Sequence, residues 1–254
     1  MGKVRLIPRL DIKGPNLIKG IQLEGLRIIG NPNEFAKKYY EQGADELLYM
    51  DSVASLYNRD SIKELIKDAA KNVFIPITVG GGIRSIKDAK EIFKSGADKI
   101  AINTGVVKKP QLLKDLANKF GSQSVVVSIE AKKISENEWE VLIDHGRERT
   151  GIKVLDWVKK TISMGAGEIL LTSVDKEGTK KGFDIDLIKS VTGVASIPVI
   201  ASGGMGKASD FISAVLEGKV DAVSMASILH YNIDTIQNIK LLAKTNNVKV
   251  RSDV

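Results

Sequence analysis

Short apolar runs alternate with amphipathic segments along the whole chain. The runs are rich in Val, Ile and Leu, as expected for strands buried on both faces, and the segments between them have helical spacing. The runs are VRLIPRLD, ELLYMD, IPITVGG, KIAINT, VVVSIE, EILLTSVD, IPVIASGG and DAVSMAS. The helical segments include NEFAKKYYEQG, SIKDAKEIFKSG and KASDFISAVLEG. Eight strand–helix units predict a parallel sheet with right-handed crossovers, closed into an α/β fold of the (β/α)8 TIM barrel type.

The chain also repeats itself. IPITVGGGIRS at 75–85 matches IPVIASGGMGK at 197–207, an offset of 122 residues, and GADELLYM and GAGEILLT follow the same offset. No linker or low-complexity stretch interrupts the pattern. We therefore predict a single barrel over residues 1–254, built from two half-barrels of about 1–121 and 122–254.

Composition narrows the class of protein. The chain is 43% apolar and 27% charged, which is typical of a soluble globular protein, and no apolar run reaches bilayer length. The N-terminal MGKVRLIPRL lacks the features of a signal peptide, so the cytoplasm is the expected location. With no cysteine and two histidines, disulfides and thiolate metal sites are excluded, and no metal or organic cofactor is implied.

The net charge of +7 comes from lysines scattered at helical spacing. No stretch interleaves basic and aromatic residues, so the pattern favours solvated helix faces over a nucleic-acid surface. An anionic small substrate or an acidic partner fits the charge equally well.

Two of the strands end in equivalent acids. Asp11 closes the first run and Glu130 closes VVVSIE, 119 residues later, so the repeat places them across a pseudo-twofold axis. Catalytic groups of such barrels come from the C-terminal ends of strands, where Asp51 and Asp175 also lie. Two acids that face each other across the mouth can divide the roles of acid and base. The alternative is a pair of structural carboxylates neutralised by lysines of the next turn.

Glycine pairs follow two other strands, and each is expected to hold a phosphate. Glycine lets the backbone approach an anion, and the following helix presents free N–H groups to it. Residues after the neighbouring strands complete each cradle. The first cradle comprises Gly81, Gly82, Asn103 and Thr104, and the second cradle comprises Gly203, Gly204, Ala226 and Ser227. Two cradles related by the repeat suggest a substrate with a phosphate at each end, whereas one alone could be a plain tight turn.

The connection 12–32 is longer than usual for a barrel, so we expect it to act as a lid. It carries Lys13 and Lys19, which are candidates to neutralise an anionic substrate.

From end to end, the chain resembles the cyclase (HisF) subunits of imidazole glycerol phosphate synthase. The resemblance rests on IPxLDIK, LIKG, GADEL, FIPxTVGGGIRS, GADKxxINT, FGSQ, GAGEILLTSxD, IPVIASGG and DAVxxASxxH, where x marks a position outside the match. In that family a glutaminase docks at the N-terminal face and makes ammonia. The ammonia crosses the barrel to a bisphosphorylated ribonucleotide, which is cyclised and cleaved to imidazole glycerol phosphate and an aminoimidazole carboxamide ribonucleotide.

The resemblance implies roles for individual residues. Asp11 would be the general acid/base, Glu130 would stand at the second catalytic position, and Lys19 would belong to the closing loop. Gly178 would join the second cradle, and Asp175 and Glu177 would bind phosphate or substrate. The family's ring of charges at the ammonia entrance corresponds to Arg5, Glu46, Lys99 and Glu168.

Three departures from the family pattern concern the site. Glu130 and Glu177 stand where the family has aspartate, which moves each carboxylate outward by about one C–C bond. Arg9 replaces a small residue, and strand alternation points it into the barrel below Asp11. A buried guanidinium needs a carboxylate, so we expect Asp11, Glu130 or Asp51 as its partner and lowered pKa values for the nearby acids.

Two histidines remain to be assigned. His145 lies in DHGRERTG, which also departs from the family, and is either a substrate contact or a surface-loop residue. His230 is expected to pack in the core or to cap a helix.

Three functions therefore compete. The first is the histidine-pathway cyclase. The second is a paralogue that uses glutaminase-derived ammonia to convert an acetamido to an acetamidino group in nucleotide-sugar or surface-glycan biosynthesis. The third is a non-catalytic barrel that only scaffolds its glutaminase, against which the intact acid pair and lid argue.

Overall fold

The computed structural model describes residues 2–52 and 60–252. Within those ranges the strands are β1 (Arg5–Lys13), β2 (Asn16–Ile21), β3 (Glu24–Gly30), β4 (Leu47–Asp51), β5 (Ile77–Gly80), β6 (Lys99–Ile102), β7 (Val125–Ser135), β8 (Glu138–Ile143), β9 (Glu148–Lys153), β10 (Glu168–Ser173), β11 (Val199–Ser202) and β12 (Ala222–Met225). The helices are α1 (Pro32–Glu41), α2 (Asp60–Asn72), α3 (Ile86–Lys94), α4 (Thr104–Lys108), α5 (Gln111–Phe120), α6 (Val154–Ser163), α7 (Ile185–Thr192), α8 (Ala208–Leu216), α9 (Ser227–His230) and α10 (Ile236–Thr245). A short 3-10 helix, Ser122–Ser124, precedes β7.

Eight of these strands form a closed parallel barrel. Its order is β1, β4, β5, β6, β7, β10, β11 and β12, and β12 pairs with β1 to complete the circle. The predicted (β/α)8 barrel is therefore confirmed. Each apolar run is buried on both faces because helices cover the outside and side chains fill the inside, as in VVVSI of β7. Among the described helices, none is both long and apolar enough to span a membrane.

The helix boundaries follow local chemistry. Asn31 caps α1 by accepting the Asn33 N–H at 2.9 Å, and Pro32 occupies the first turn, where its missing N–H costs nothing. Ser85 caps α3 in the same way through the Asp88 N–H. Caps of this kind stabilise a helix by about 1 kcal/mol each.

The barrel interior is layered by polarity. Charged side chains from Arg5, Glu46, Lys99 and Glu168 fill its N-terminal end. Above them lies an apolar layer of Ile7, Leu48, Ala101, Val126, Leu170, Ile200 and Ala222. The next layer is polar and includes Arg9, Thr172 and Ser202. Because strand neighbours alternate faces, these layers follow from every second residue of each strand.

Two β-hairpins extend beyond the barrel. β2 and β3 fold back antiparallel on the end of β1, and β8 and β9 do so on the end of β7. The connection expected to be a lid is thus a hairpin, called here the strap (residues 16–30). Its backbone hydrogen bonds extend those of the barrel sheet. The hairpins follow strands that the repeat relates, while the half-barrel division itself stays a prediction.

Candidate active site

Asp11 lies at the C-terminal end of the barrel, buried on the interior face of β1. Its Oδ1 accepts a hydrogen bond from Arg9 Nε at 2.8 Å, an ion pair buried on both sides. Burial alone would raise the pKa of this carboxyl, but the charges of Arg9 and Lys19 outweigh burial and hold the pKa below its usual value. Asp11 is therefore an ionised carboxylate at neutral pH.

Glu130 is buried in the middle of β7, where pairing with the barrel strand β10 gives way to pairing with β8, and it lies near enough for Asp11 to repel its charge. Its Oε2 accepts the Gly146 N–H at 2.7 Å. Burial raises its pKa to about 7, and the Asp11 charge adds to this, although Arg9 and the Gly146 N–H act in the opposite direction. The two acids thus differ in protonation near neutral pH, which is the condition for one to act as base and the other as acid.

Arg9 was expected to pair with a nearby acid and to lower the pKa values of the acids around it. It pairs with Asp11, and its Nη1 donates to the hydroxyls of Thr172 and Ser202 at 3.2 and 3.4 Å. Arg9 acts to lower the pKa of both acids, as expected, but the net pKa falls only for Asp11, because the desolvation of Glu130 outweighs the Arg9 charge.

The first cradle opens onto a cavity of about 620 Å³, called here the mouth cavity. Gly81 has a φ of 107°, and a Cβ there would clash with the Asp51 carbonyl oxygen, so the turn requires glycine. Asn103 and Thr104 line the same cavity. The Asn103 Oδ1 atom is buried and has no hydrogen-bond partner within residues 2–52 and 60–252, which leaves an acceptor for a ligand.

Three cations that the sequence reasoning missed surround the first cradle. Arg84, Lys108 and Lys109 all line the mouth cavity. Each lies within a few residues of a cradle segment in the sequence, and this proximity could have identified them as candidate anion ligands. Their charges favour an anion in the cavity.

The second cradle is nearly closed. Gly203 and Gly204 have φ values of 91° and 114°, and a Cβ on Gly204 would clash with the Gly182 carbonyl oxygen. The cavity that they share with Ala226 and Ser227 measures about 20 Å³. This is enough for about one water molecule.

The strap closes this cradle. Lys19 is buried, and its ammonium forms an ion pair with the buried carboxylate of Glu177. The same carboxylate accepts the Leu23 N–H at 3.1 Å, and the Glu177 carbonyl accepts the Gln22 N–H at 2.9 Å. Gly178, with a φ of 70°, packs directly against the Gly20 carbonyl. Lys19, Glu177 and Gly178 therefore meet at the second cradle.

Asp175, which was expected to bind phosphate or substrate, has a partly exposed side chain. It forms an ion pair with Lys132 at 2.6 Å and accepts the Lys133 N–H at 2.9 Å. These contacts join the loop after β10 to the end of β7.

The two histidines have different surroundings. His145 lines the mouth cavity in a turn where it has a φ of 59°, and its buried Nε2 has no partner among the described residues. Burial, partly offset by Asp11, lowers the pKa of His145, so its imidazole is neutral at pH 7. His230 is buried, and its Nδ1 lies 2.6 Å from the Tyr39 hydroxyl, which confirms the expected packing role.

The four charges at the other end of the barrel do come together. Arg5 and Lys99 each contact both Glu46 and Glu168, with Lys99 Nζ at 2.9 and 3.1 Å from them. The Thr78 hydroxyl also donates to Glu46 at 2.6 Å. This alternating network spans the barrel interior beneath the apolar layer.

A closed barrel with paired acids and glycine turns at its C-terminal end defines a (β/α)8-barrel enzyme. The model of the histidine biosynthesis protein family matches residues 5–235. The chain belongs to this family.

Curated relatives named imidazole glycerol phosphate synthase subunit HisF agree with that assignment. The Legionella pneumophila protein is 63% identical over 83% of this chain and all of its own length. The Streptococcus mutans protein is 45% identical over 99% of this chain and all of its own length. The Alkaliphilus metalliredigens protein is 43% identical over 93% of this chain and 94% of its own. The family resemblance stated from the sequence is thereby confirmed.

Proposed function

We propose that the chain is the ammonia-dependent cyclase subunit of an imidazole glycerol phosphate synthase. It would convert a bisphosphorylated ribonucleotide and ammonia to imidazole glycerol phosphate and an aminoimidazole carboxamide ribonucleotide. The names of the curated relatives support this function. The open first cradle and the occluded second cradle, on either side of the acids, suit a substrate with a phosphate at each end.

The observation that carries the proposal is the pair of buried acids with opposite pKa shifts. Cyclisation with ammonia needs one group to take a proton from the attacking nitrogen and another to give one to the departing atom. Asp11, held ionised by Arg9, is the base in this proposal. Glu130, whose pKa is about 7, is the acid. Lys19 serves the phosphate end that the strap covers.

The proposal includes a glutaminase subunit, a cytoplasmic location and no role for nucleic acid or membrane. The charge network of Arg5, Glu46, Lys99 and Glu168 supports a docking face at the N-terminal end, since it places alternating charges across that end of the barrel. Ammonia, being small and neutral, would then pass through the apolar layer above.

To test this function, the purified chain is mixed with an ammonium salt at high pH and the bisphosphorylated ribonucleotide. Turnover is measured as the loss of substrate absorbance. We expect turnover that disappears in Asp11→Asn. Glu138→Gln, a change at an exposed carboxylate paired with Lys153, is the matched control and should retain turnover. No turnover by a chain whose circular dichroism shows the intact fold would exclude this function.

A second candidate is the paralogue that forms an acetamidino group on a nucleotide sugar. The buried Arg9–Asp11 ion pair favours it, because the guanidinium engages the proposed base directly. The test replaces the ribonucleotide by a nucleotide sugar that bears an acetamido group, again with ammonium. Mass spectrometry then detects exchange of the carbonyl oxygen for nitrogen.

A further inference from the structure

Arg9 does not use all of its donors. Its Nε is committed to Asp11, and its Nη1 reaches two hydroxyls at 3.2 and 3.4 Å, the second of which is a long contact. Among the hydrogen bonds of residues 2–52 and 60–252, none uses Nη2. A guanidinium has five donors in a rigid fork, so this side chain keeps donors to spare.

The guanidinium also lines the second cradle. Arg9 shares the cavity of about 20 Å³ with Gly203, Gly204 and Ser227. Ser224 lines it too, and its buried hydroxyl has no partner among the residues that the structure describes. Buried polar groups are normally satisfied, so unused donors around one small cavity point to a missing acceptor.

The charges around the cavity indicate what that acceptor is. Lys19 and Arg9 contribute two cations, which the carboxylates of Glu177 and Asp11 presently neutralise. The cavity has room for about one water molecule, so a larger anion enters only when the strap shifts and the anion replaces Glu177 as the partner of Lys19.

We propose that Arg9 is a direct ligand of the anionic group in the second cradle and a specificity-determining residue for a phosphate monoester. The inference rests on the proposed function for the identity of the full substrate. Arg9 suits the role because its planar fork binds phosphate oxygens in a way that an ammonium cannot reproduce.

Binding of inorganic phosphate tests this inference without turnover. Calorimetric titration is performed on chains carrying Thr104→Asp, which places a repelling carboxylate in the first cradle and leaves the second as the site measured. We expect Arg9→Met to weaken phosphate binding about tenfold or more, as for the loss of a hydrogen bond to a charged group. We expect Arg9→Lys to bind with intermediate affinity.

Asp11→Asn in the same background separates the inference from a purely structural role. It removes the anion that competes for Arg9, so phosphate affinity should stay the same or increase. If Arg9 serves only to pair with Asp11, the Arg9→Met/Asp11→Asn chain binds phosphate as tightly as the Asp11→Asn chain, and that result would overturn the inference. Should Arg9→Met fold poorly, the charge-balanced Arg9→Met/Asp11→Asn chain takes its place and must also show weakened binding.

The two proposals fail separately. Arg9-dependent phosphate binding without any turnover of the bisphosphorylated ribonucleotide would contradict the proposed function and leave this inference standing. Turnover of the ribonucleotide with a KM that Arg9→Met leaves unchanged would support the proposed function and contradict the role of Arg9 as a phosphate ligand.

Discussion

Arg9 Nε and Asp11 Oδ1 lie 2.8 Å apart, joining two residues on the same face of one barrel strand. The pair is buried, so its charge–charge interaction is only weakly screened by solvent. Arg9 therefore influences both the charge of the proposed base and the cradle beside it.

Replacing Arg9 by methionine should raise the pKa of Asp11, because the main cation that opposes its desolvation is lost. Removal of a neighbouring arginine changes a carboxyl pKa by about 1–3 units. The acidic limb of the kcat/KM profile should accordingly move to higher pH. Lys153→Met, which removes an exposed lysine, is the control. An acidic limb that stays in place in both variants would mean that Asp11 is not the titrating base.

Replacing Glu130 by glutamine should stabilise the protein more at pH 8 than at pH 4. The folded-state pKa of about 7 exceeds the usual 4.5, so the stability contributed by this group is present below 4.5 and lost as the pH rises through 7. The unfolding free energy of the variant minus that of the parent should be on the order of 3 kcal/mol larger at pH 8 than at pH 4. Urea unfolding at the two pH values measures it, and equal differences at both would contradict the raised pKa.

Shortening Glu130 to aspartate should slow the cyclase. The carboxylate would retreat from Gly146, whose N–H it now accepts at 2.7 Å. A displacement of about 1 Å in a catalytic group can cost on the order of 100-fold in rate. Steady-state kcat with ammonium as nitrogen donor checks this. A large gain in cyclase rate would instead indicate that the glutamate marks a shifted function and would favour the acetamidino reaction.

Glu177→Gln should loosen the strap. The change removes the ion pair with Lys19, which now holds the hairpin over the second cradle. Hydrogen exchange in residues 16–30 should accelerate by about tenfold or more, as expected from the loss of a charge-assisted contact. Peptides covering residues 138–153 report on the other hairpin and should exchange at the parental rate. Equal protection of residues 16–30 in variant and parent would show that the strap is held by its backbone pairing alone.

The sequence predicted the strands of the barrel better than the hairpins at its mouth. The barrel part of a strand such as β7 is a buried apolar run, whereas β3 and β9 are largely exposed and mix apolar and polar residues. Exposed strands of this kind are specified by pairing with β2 and β8, not by a periodic apolar face. The strap was therefore expected only as a long connection.

The sequence by itself determined the eight strand–helix units, the acids that close the apolar runs of β1 and β7, and the glycine turns, because these follow from local periodicity and backbone conformation. Only the tertiary structure decided that Arg9 pairs with Asp11, that burial raises the pKa of Glu130 to about 7, and that Glu177 closes the second cradle. These properties depend on burial and on distances between atoms from different strands and loops. Such distances arise only when the barrel closes, so spacing along the chain does not specify them.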